Sequence, residues 1–167
     1  MDTAQKRVAA DRSRIAYEEY EIGLAFFNKK QWKTAVSHFG EADRRSRRDD
    51  ENYHLYTSCH GLALVYCGDV SGLNFCRHAA AAETIKATVH QNLALAELYL
   101  NHRQRACNAV KAGLKIDSRH SGLLDTRKKM GVRRRPCVPF LKRNNPFNKW
   151  LGRITFNRHR KTVRALR

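Results

Sequence analysis

Residues 23–42, GLAFFNKKQWKTAVSHFGEA, contain two helix-like halves around a polar break at 28–31. In the second half, Ala35, Val36, Phe39 and Ala42 recur at the three- and four-residue spacing that places them on one face of an α-helix. Short connections of this kind join antiparallel helices. The stretch therefore predicts a helical hairpin with an apolar interior.

The same periodicity dominates residues 3–130, and no run among them alternates as a half-buried strand does. Further polar breaks fall at 48–51, 68–69, 101–102 and 117–119. We therefore expect an all-α fold, with six packed helices and a terminal cap between residues 13 and 130.

The positions of small and aromatic residues resemble the tetratricopeptide (TPR) repeat, a helix–turn–helix unit of about 34 residues. The matching residues of the first repeat are Gly23, Phe26, Trp32, Ala35, Phe39 and Ala42. Those of the second are Leu62, Ala63 and Tyr66, with Gly72 or Leu73 where the family usually has alanine. Those of the third are Leu95, Ala96, Tyr99, Ala106 and Val110. The resemblance covers residues 13–118 and implies three antiparallel helix hairpins stacked as a short TPR superhelix, with Phe26, Tyr66 and Tyr99 at equivalent positions.

Residues 118–130 are predicted to form a capping helix, because an open stack of repeats needs a terminal cap. Ser118 is the expected N-cap, and Leu123 and Leu124 can face the last repeat. Gly131 suits the left-handed stop at the end of a helix.

In the TPR family the first helix of each repeat lines a groove for a partner. Carried onto this sequence, the groove positions are Tyr17, Tyr20, Leu24, Phe27, Thr57, His60, Leu64, Cys67, His90, Leu93 and Glu97. This set predicts an apolar, aromatic groove for a hydrophobic peptide or helix, which the protein's own tail could also fill. The alternative is that several of these residues are core. Some relatives grip a partner's C-terminal carboxylate with Lys, Asn and Arg at such positions, and those residues are missing here.

Positive charge is concentrated at the end of the chain. The sequence has 33 Lys and Arg against 15 Asp and Glu, a net charge of +18. Residues 126–167 hold 15 of the basic residues, no acidic residue and all three prolines. We therefore predict a helical TPR-like domain with its cap over residues 1–131, followed by a basic tail over 132–167.

Within the tail, Asn145 and Pro146 have the order of an N-cap and a first helical residue. A short amphipathic helix near 146–156 would place Phe147, Trp150 and Leu151 on one face. The candidate binding residues of the tail are Arg133, Arg134, Arg135, Lys142, Arg143, Phe147, Lys149, Trp150, Arg153, Arg158, Arg160, Lys161 and Arg164. A basic segment with interleaved aromatic residues suits an acidic protein, RNA more than duplex DNA, or an anionic membrane surface. A solvated charge run is the remaining alternative.

The sequence offers little support for catalysis or metal binding. Cys59–His60 and Cys76–His78 are thiol–imidazole neighbours, but residues adjacent in a helix point about 100° apart. No third orienting group is evident, and the chain has no CxxC, HExxH or glycine-rich phosphate loop. We therefore predict no catalytic residue, no metal site and no cofactor.

The five scattered cysteines argue against a disulfide framework, and the first residues have no apolar block of the kind that signal peptides contain. No apolar run is long enough for a transmembrane helix, so an intracellular, cytoplasmic protein is expected.

The leading hypothesis is a non-catalytic TPR adaptor or scaffold that binds one partner through its groove and an acidic partner or assembly through its tail. RNA binding through the tail and a peripheral membrane adaptor are the alternatives, and a three-repeat secretion chaperone also fits the length. The sequence leaves the oligomeric state open.

Overall fold

A computed structural model describes residues 10–131, 145–147, 150 and 151, together with the backbone of residues 3–9. Seven helices make up the described part of residues 3–130: α1 (Thr3–Asn28), α2 (Trp32–Arg45), α3 (Tyr53–Tyr66), α4 (Gly72–Ala82), α5 (Ala87–Tyr99), α6 (Arg103–Ile116) and α7 (Ser121–Met130). The described residues contain no strand. The chain divides into two compact units, Met1–Met130 and Gly131–Arg167.

The helices pack as three successive hairpins, α1 with α2, α3 with α4 and α5 with α6. Neighbouring hairpins stack through α2 on α3, α4 on α5 and α3 on α5, and α7 covers α5 and α6. This is the all-α, TPR-type arrangement that the sequence predicts. The predicted polar breaks are confirmed, since each separates two of these helices.

All three hairpins turn in the same way. Lys30, Gly68 and Asn101 have positive φ angles of 60°, 95° and 62°. The next residue in each turn donates its backbone N–H to a carbonyl five residues earlier, and these three bonds are Gln31 to Phe26 at 3.0 Å, Asp69 to Leu64 at 3.0 Å and His102 to Glu97 at 2.8 Å. This is the Schellman motif that ends a helix with a left-handed residue. The turns therefore provide a common reference for numbering the repeats.

In each hairpin, a small residue lies seven positions before the left-handed turn residue and lets the first helix approach the second. These residues are Gly23, Gly61 and Ala94 in the three hairpins. A Cβ atom on Gly61 would lie 2.5 Å from the carbonyl oxygen of Gly72. Ala63 instead packs with Ala35 and Phe39 of the preceding hairpin. The helices of the second hairpin thus cross at Gly61, where backbone meets backbone.

The predicted register of the second and third repeats is therefore wrong by two residues in α3 and α5. Leu64 and Glu97, rather than Tyr66 and Tyr99, are the structural equivalents of Phe26, because each lies four residues before its left-handed turn residue. The sequence pattern aligned the aromatic side chains, whereas the turns and the small residues align the backbone. In α4, Leu73 lies five residues after Gly68 and occupies the usual alanine position.

The capping helix is present, but its start differs from the expectation. Helix α7 begins at Ser121, and Ser118 is not its cap. His120 has that role, because its Nδ1 accepts the backbone N–H of Leu123 at 3.3 Å. Leu123 is fully buried and Gly131 has a φ of 66°, which confirms the predicted packing residue and stop.

The break between α4 and α5 was not located from the sequence. Glu83 forms it: one carboxylate oxygen accepts the backbone N–H groups of Ile85 at 2.7 Å and Lys86 at 2.9 Å. These bonds satisfy donors just before the first turn of α5, as an N-terminal capping carboxylate does. This break had no clear signal in the sequence, because glutamate is not one of the usual N-cap residues, Ser, Thr, Asp and Asn.

In the second unit, Pro146, Phe147, Trp150 and Leu151 are helical. The side chain of Asn145 accepts the backbone N–H of Phe147 at 2.9 Å, as the side chain of a helix N-cap does. The rest of the predicted short helix, and every other candidate binding residue of the tail, lie outside the described residues.

Candidate partner-binding surface

The predicted groove residues of the first repeat lie together along α1. Tyr17 has 51% of its surface exposed, and its ring centroid is 6.2 Å from that of Tyr20. Tyr20 contacts Tyr56 at 5.3 Å, and burial raises its pKa well above the usual value. Leu24 and Phe27 continue the same helix and are partly buried against the core. This part of the predicted set forms one apolar strip.

The predicted residues of the second repeat point elsewhere. The ring of His60 lies 5.2 Å from that of Phe75, and its Nδ1 is 3.2 Å from a carboxylate oxygen of Asp43. Thr57 is buried and donates to the other oxygen of Asp43 at 2.6 Å. Leu64 faces Gly72 at the start of α4. His60 and Leu64 therefore face the second helices of the hairpins rather than a surface shared with Tyr20, while Cys67 is exposed at the end of α3.

In the third repeat the predicted residues are interior. His90 lies beneath Gly113 of α6, and Leu93 packs against three separate core clusters. Glu97 has 3% of its side chain exposed. One carboxylate oxygen of Glu97 accepts hydrogen bonds from Nε and an Nη of Arg77 at 3.0 and 2.8 Å. The other oxygen lies 2.7 Å from Nδ1 of His102.

The groove prediction for His60, Leu64, His90, Leu93 and Glu97 is therefore corrected, because these residues do not form a surface with the α1 strip. The physical reason is the register error. A shift of two residues rotates the assigned face of an α-helix by about 200°, which is nearly the opposite side. Glu97 is a buried ion-pair partner that joins α4 to α5, rather than a group available to a ligand.

A different aromatic surface runs along the hairpin turns, and we call Phe27, Trp32, Tyr66 and Tyr99 the aromatic ridge. Phe27 stacks on Tyr66 with ring centroids 5.5 Å apart, and Trp32 lies 5.0 Å from Tyr66. Tyr66 meets Tyr99 edge-on at 4.9 Å. Burial raises the pKa of the Tyr66 hydroxyl above its usual value. The ridge thus joins all three hairpins.

The sequence contained a signal for this ridge. Trp32 follows the left-handed residue of its turn by two positions, and Tyr66 and Tyr99 precede theirs by two. Aromatic residues beside equivalent turns of stacked hairpins lie close together in space. The signal was missed because these residues were assigned to the usual packing positions of the TPR pattern.

A shallow cavity of about 390 Å³ opens beside the ridge. It is lined by Lys30, Gln31, Trp32, Lys33, Thr34, Tyr66 and Cys67. Both lysines are exposed, and neither forms an ion pair with another described residue. The aromatic surface is therefore bordered by positive charge.

The two cysteine–histidine neighbours do not form catalytic pairs. Burial raises the pKa of the Cys59 thiol to about 12, and its sulfur accepts a hydrogen bond from Asn92 at 3.2 Å. Burial also raises the pKa of Cys76, whose thiol donates to the carbonyl of Ser58 at 3.4 Å. Because a nucleophile must be a thiolate, both environments oppose that role. Among the described residues, no three His, Cys, Asp or Glu side chains are placed to hold a metal ion.

In the second unit, Phe147 and Trp150 are 53% and 58% exposed. Their ring centroids lie 6.0 Å apart, so the two rings form one exposed aromatic pair. In the part of the chain that the structure describes, no helix is both long enough and apolar enough to cross a bilayer.

Comparisons with known proteins agree with this architecture. The chain has the TPR fold: it superposes on the Arabidopsis OM64 TPR domain with a TM-score of 0.56 at 16% identity, covering 71% of this chain and 96% of that domain. It also superposes on the first TPR of Spaghetti (RPAP3) bound to the HSP90 peptide SRMEEVD, with a TM-score of 0.55 at 13% identity, covering 71% and 91%.

A curated protein, the Hsp70-Hsp90 organizing protein of Triticum aestivum, is 25% identical over 132 residues. The match covers 79% of this chain, and the chain spans about a fifth, 21%, of that protein's length. No family model matches the chain.

Proposed function

We propose that this chain is a non-catalytic adaptor that binds a segment of a partner protein on the aromatic ridge and the adjoining strip of α1. The observation that carries the proposal is the ridge itself, in which rings from three hairpins touch while Tyr99 keeps 53% of its surface exposed. Trp and Tyr are frequent anchors of protein interfaces, since they bury a large apolar area and retain a polar tip. A stack of hairpins also offers a continuous surface to an extended ligand.

The similar proteins support a protein as the partner. The RPAP3 domain is bound to an HSP90 peptide, and the curated relative is an Hsp70-Hsp90 organizing protein. We do not propose that the chain binds a partner's C-terminal carboxylate through Lys, Asn and Arg. In the corrected register the equivalents of Tyr20 and Leu24 are Ser58, Leu62, Gln91 and Leu95, and none is of those types.

Peptide selection tests the proposal with no assumption about the partner's sequence. A random displayed library is selected on the full-length protein and then screened against Tyr99→Asp, which places a charge on the ridge. Selected peptides should bind this variant at least tenfold more weakly, because the buried carboxylate loses hydration.

The matched control is Ile85→Asp, which changes an apolar residue that is 74% exposed and lies between α4 and α5. Binding to this variant should be unchanged. Peptides that bind wild type and Tyr99→Asp equally would refute the ridge as the binding surface, as would the failure to select any peptide.

The basic tail is proposed as a second contact that holds the adaptor on an acidic partner or assembly. Its exposed Phe147–Trp150 pair supports a role beyond solubility, since a purely solvated segment has no need of two adjacent rings. Unpaired cysteines at 59, 67, 76 and 107 support an intracellular, reducing location.

RNA is the second candidate for the tail. If about six basic residues contact phosphates of a single strand, a log–log plot of affinity against salt should have a slope of about −4. Trp150→Ala should then weaken RNA binding by about 1–3 kcal/mol through lost stacking. A Trp150→Ala variant that loses affinity for anionic vesicles and keeps its RNA affinity would indicate a membrane contact. No response in either assay would favour the acidic protein.

A further inference from the structure

We infer that two copies of this chain associate through the outer side of α1, with the two α1 helices antiparallel. This surface shares no residue with the aromatic ridge or with the adjoining strip of α1, so it adds a second interface to the proposed adaptor. Two features point to it: an apolar stripe at the open end of the helical stack, and the order of the charges beside that stripe.

The two ends of the stack differ. Helix α7 covers α5 and α6 at one end, whereas α1 packs along α2 at the other. The terminal helices of a repeat stack normally have a polar outer face, which keeps the protein soluble. Helix α1 departs from this rule, because its Ile22 is 42% exposed.

The apolar residues on the outer side of α1 are Ile15, Ile22 and Phe26, and we call them the outer stripe. Ala16 and Gly23 face α2. Each isoleucine precedes one of these small residues by one position, so it lies about 100° around the helix from the α2 contact. The two isoleucines are seven residues apart, which places them within about 20° of each other. Phe26 continues the stripe one turn further on.

Charge along α1 changes sign at the middle of the outer stripe. Arg12 and Arg14 precede Ala16, whereas Glu18 and Glu19 follow it. Helix periodicity places Arg12 and Glu19 on one side of the stripe. It places Arg14 and Glu18 on the other side. Arg12 and Glu18 are exposed, and neither forms an ion pair with another described residue.

An antiparallel second copy is complementary to this order of charges. When the two helices cross at the point where the sign changes, Arg12 of one copy lies opposite Glu19 of the other. Arg14 then lies opposite Glu18. Two-fold symmetry repeats each pair, as in an isologous interface. A parallel arrangement would instead place like charges side by side, which is unfavourable.

Glu19 can take part without losing its own contact. One of its carboxylate oxygens lies 2.7 Å from Nδ1 of His38. No hydrogen bond joins the second oxygen to another described residue, so that oxygen can meet an arginine of the other copy.

One pair of helices buries less surface than a standard protein interface, so the dimer should lie at the weak, micromolar end of the affinity range. Each dimer would carry two aromatic ridges. A partner with two binding segments would then be held at both, with a gain in overall affinity.

Sedimentation equilibrium of the full-length protein, freed of nucleic acid by a high-salt wash, measures the association. The wild type should approach twice its monomer mass as its concentration rises. Ile22→Asp should weaken the dimer at least about tenfold, because it places a carboxylate in the outer stripe. The matched control is Ile85→Asp, which changes an exposed residue between α4 and α5 and should leave the dimer unchanged.

Complementary charge variants test for the second copy directly. Arg12→Glu with Arg14→Glu makes both halves of α1 acidic beside the stripe, and Glu18→Arg with Glu19→Arg makes both halves basic. Each double variant alone should stay monomeric where the wild type dimerises, because like charges then face each other. An equal mixture of the two should recover the dimer, since every glutamate again faces an arginine.

Melting curves establish that each variant is folded. If loss of the His38 contact unfolds the basic variant, Glu18→Arg alone replaces it in the mixture.

The opposite results would overturn the inference. A wild type that stays monomeric up to its solubility limit would leave the outer stripe to a different protein. A dimer that Ile22→Asp does not weaken must form through another surface, such as the basic tail. Charge variants that fail to associate when mixed would refute the antiparallel pairing. Because none of these results depends on peptide binding at the aromatic ridge, the adaptor function would stand.

Discussion

Replacing Gly61 by alanine should destabilise the protein, although alanine is the better helix former. The new Cβ would lie 2.5 Å from the Gly72 carbonyl oxygen, 2.8 Å from Cβ of Phe75 and 3.0 Å from the backbone nitrogen of Cys76. Two of these three atoms belong to backbone, so rotation of a side chain cannot relieve the contact. The helices α3 and α4 must therefore move apart.

The magnitude follows from two opposing effects. Overpacking of a tight site costs about 3 kcal/mol at the upper end of the usual range. The intrinsic preference of helices for alanine over glycine returns about 1 kcal/mol. The net loss should be about 2 kcal/mol, which lowers the melting temperature of a chain of this size by about 4–8 °C.

Gly40→Ala is the matched control, since Gly40 also lies within a helix. The nearest neighbour of its new Cβ would be the His60 ring at 3.3 Å, a side chain that can shift slightly. Its stability should stay within about 1 kcal/mol of wild type, because helix preference offsets the contact. Circular dichroism melts of the three proteins give the answer. A Gly61→Ala variant that melts at or above wild type would refute the crossing at Gly61 and the register derived from it.

Four further changes have definite expected outcomes. Glu97→Ala should lower stability by about 1.5–3 kcal/mol, measured by urea unfolding, because it removes a buried carboxylate that accepts charged hydrogen bonds from Arg77. An effect below about 0.5 kcal/mol would contradict this. Glu83 should contribute a pH dependence: burial alone raises its pKa, but backbone N–H donors and nearby positive charge outweigh burial and lower it. The folded state then binds this proton less readily than the unfolded one, so the stabilisation is present above the ordinary pKa and is lost as pH falls through the lowered value; Glu83→Gln should flatten that acid limb of a melting-temperature profile. Peptide-resolved alkylation should modify exposed Cys67 well before buried Cys59, whereas equal rates would indicate an open core. Ala35→Trp should overfill the interior of the first hairpin and lower the free energy of unfolding by about 1–3 kcal/mol or more. An unchanged thermal midpoint would show that Ala35 is not at a tight crossing.

The fold could be predicted because its determinants are local. The hairpin at 23–42 has its small residues, its aromatic residues and its turn in a single short window. The break at Gly68 is marked by glycine, and the turns at Lys30 and Asn101 lie within polar pairs. Each of these features is a property of neighbouring residues and does not depend on the rest of the chain.

The candidate binding surface was harder to predict, because which residues share a surface depends on helix rotation. Ala63 and Gly61 are both small and both buried, and sequence alone does not say which faces the partner helix. Choosing Ala63 over Gly61 in α3, and Ala96 over Ala94 in α5, reassigned Leu64 and Glu97 from packing positions to a groove. The interaction of Glu97 with Arg77 across hairpins also involves residues 20 positions apart, which periodicity cannot reveal.

The polar contacts between the second and third hairpins affect how the stack opens. Asn92 reaches into the second hairpin to donate to Ser58 at 2.9 Å and to Cys59, and Glu97 binds Arg77 nearby. A buried polar partner left behind by local unfolding would be unsatisfied, so these two hairpins resist separating one at a time. The third hairpin should consequently exchange its interior amide hydrogens together with the second, as one cooperative unit. A ligand bound across Tyr66 and Tyr99 would then slow amide hydrogen exchange in both hairpins at once. The protected amides would include those of the shared interior, which the ligand does not contact.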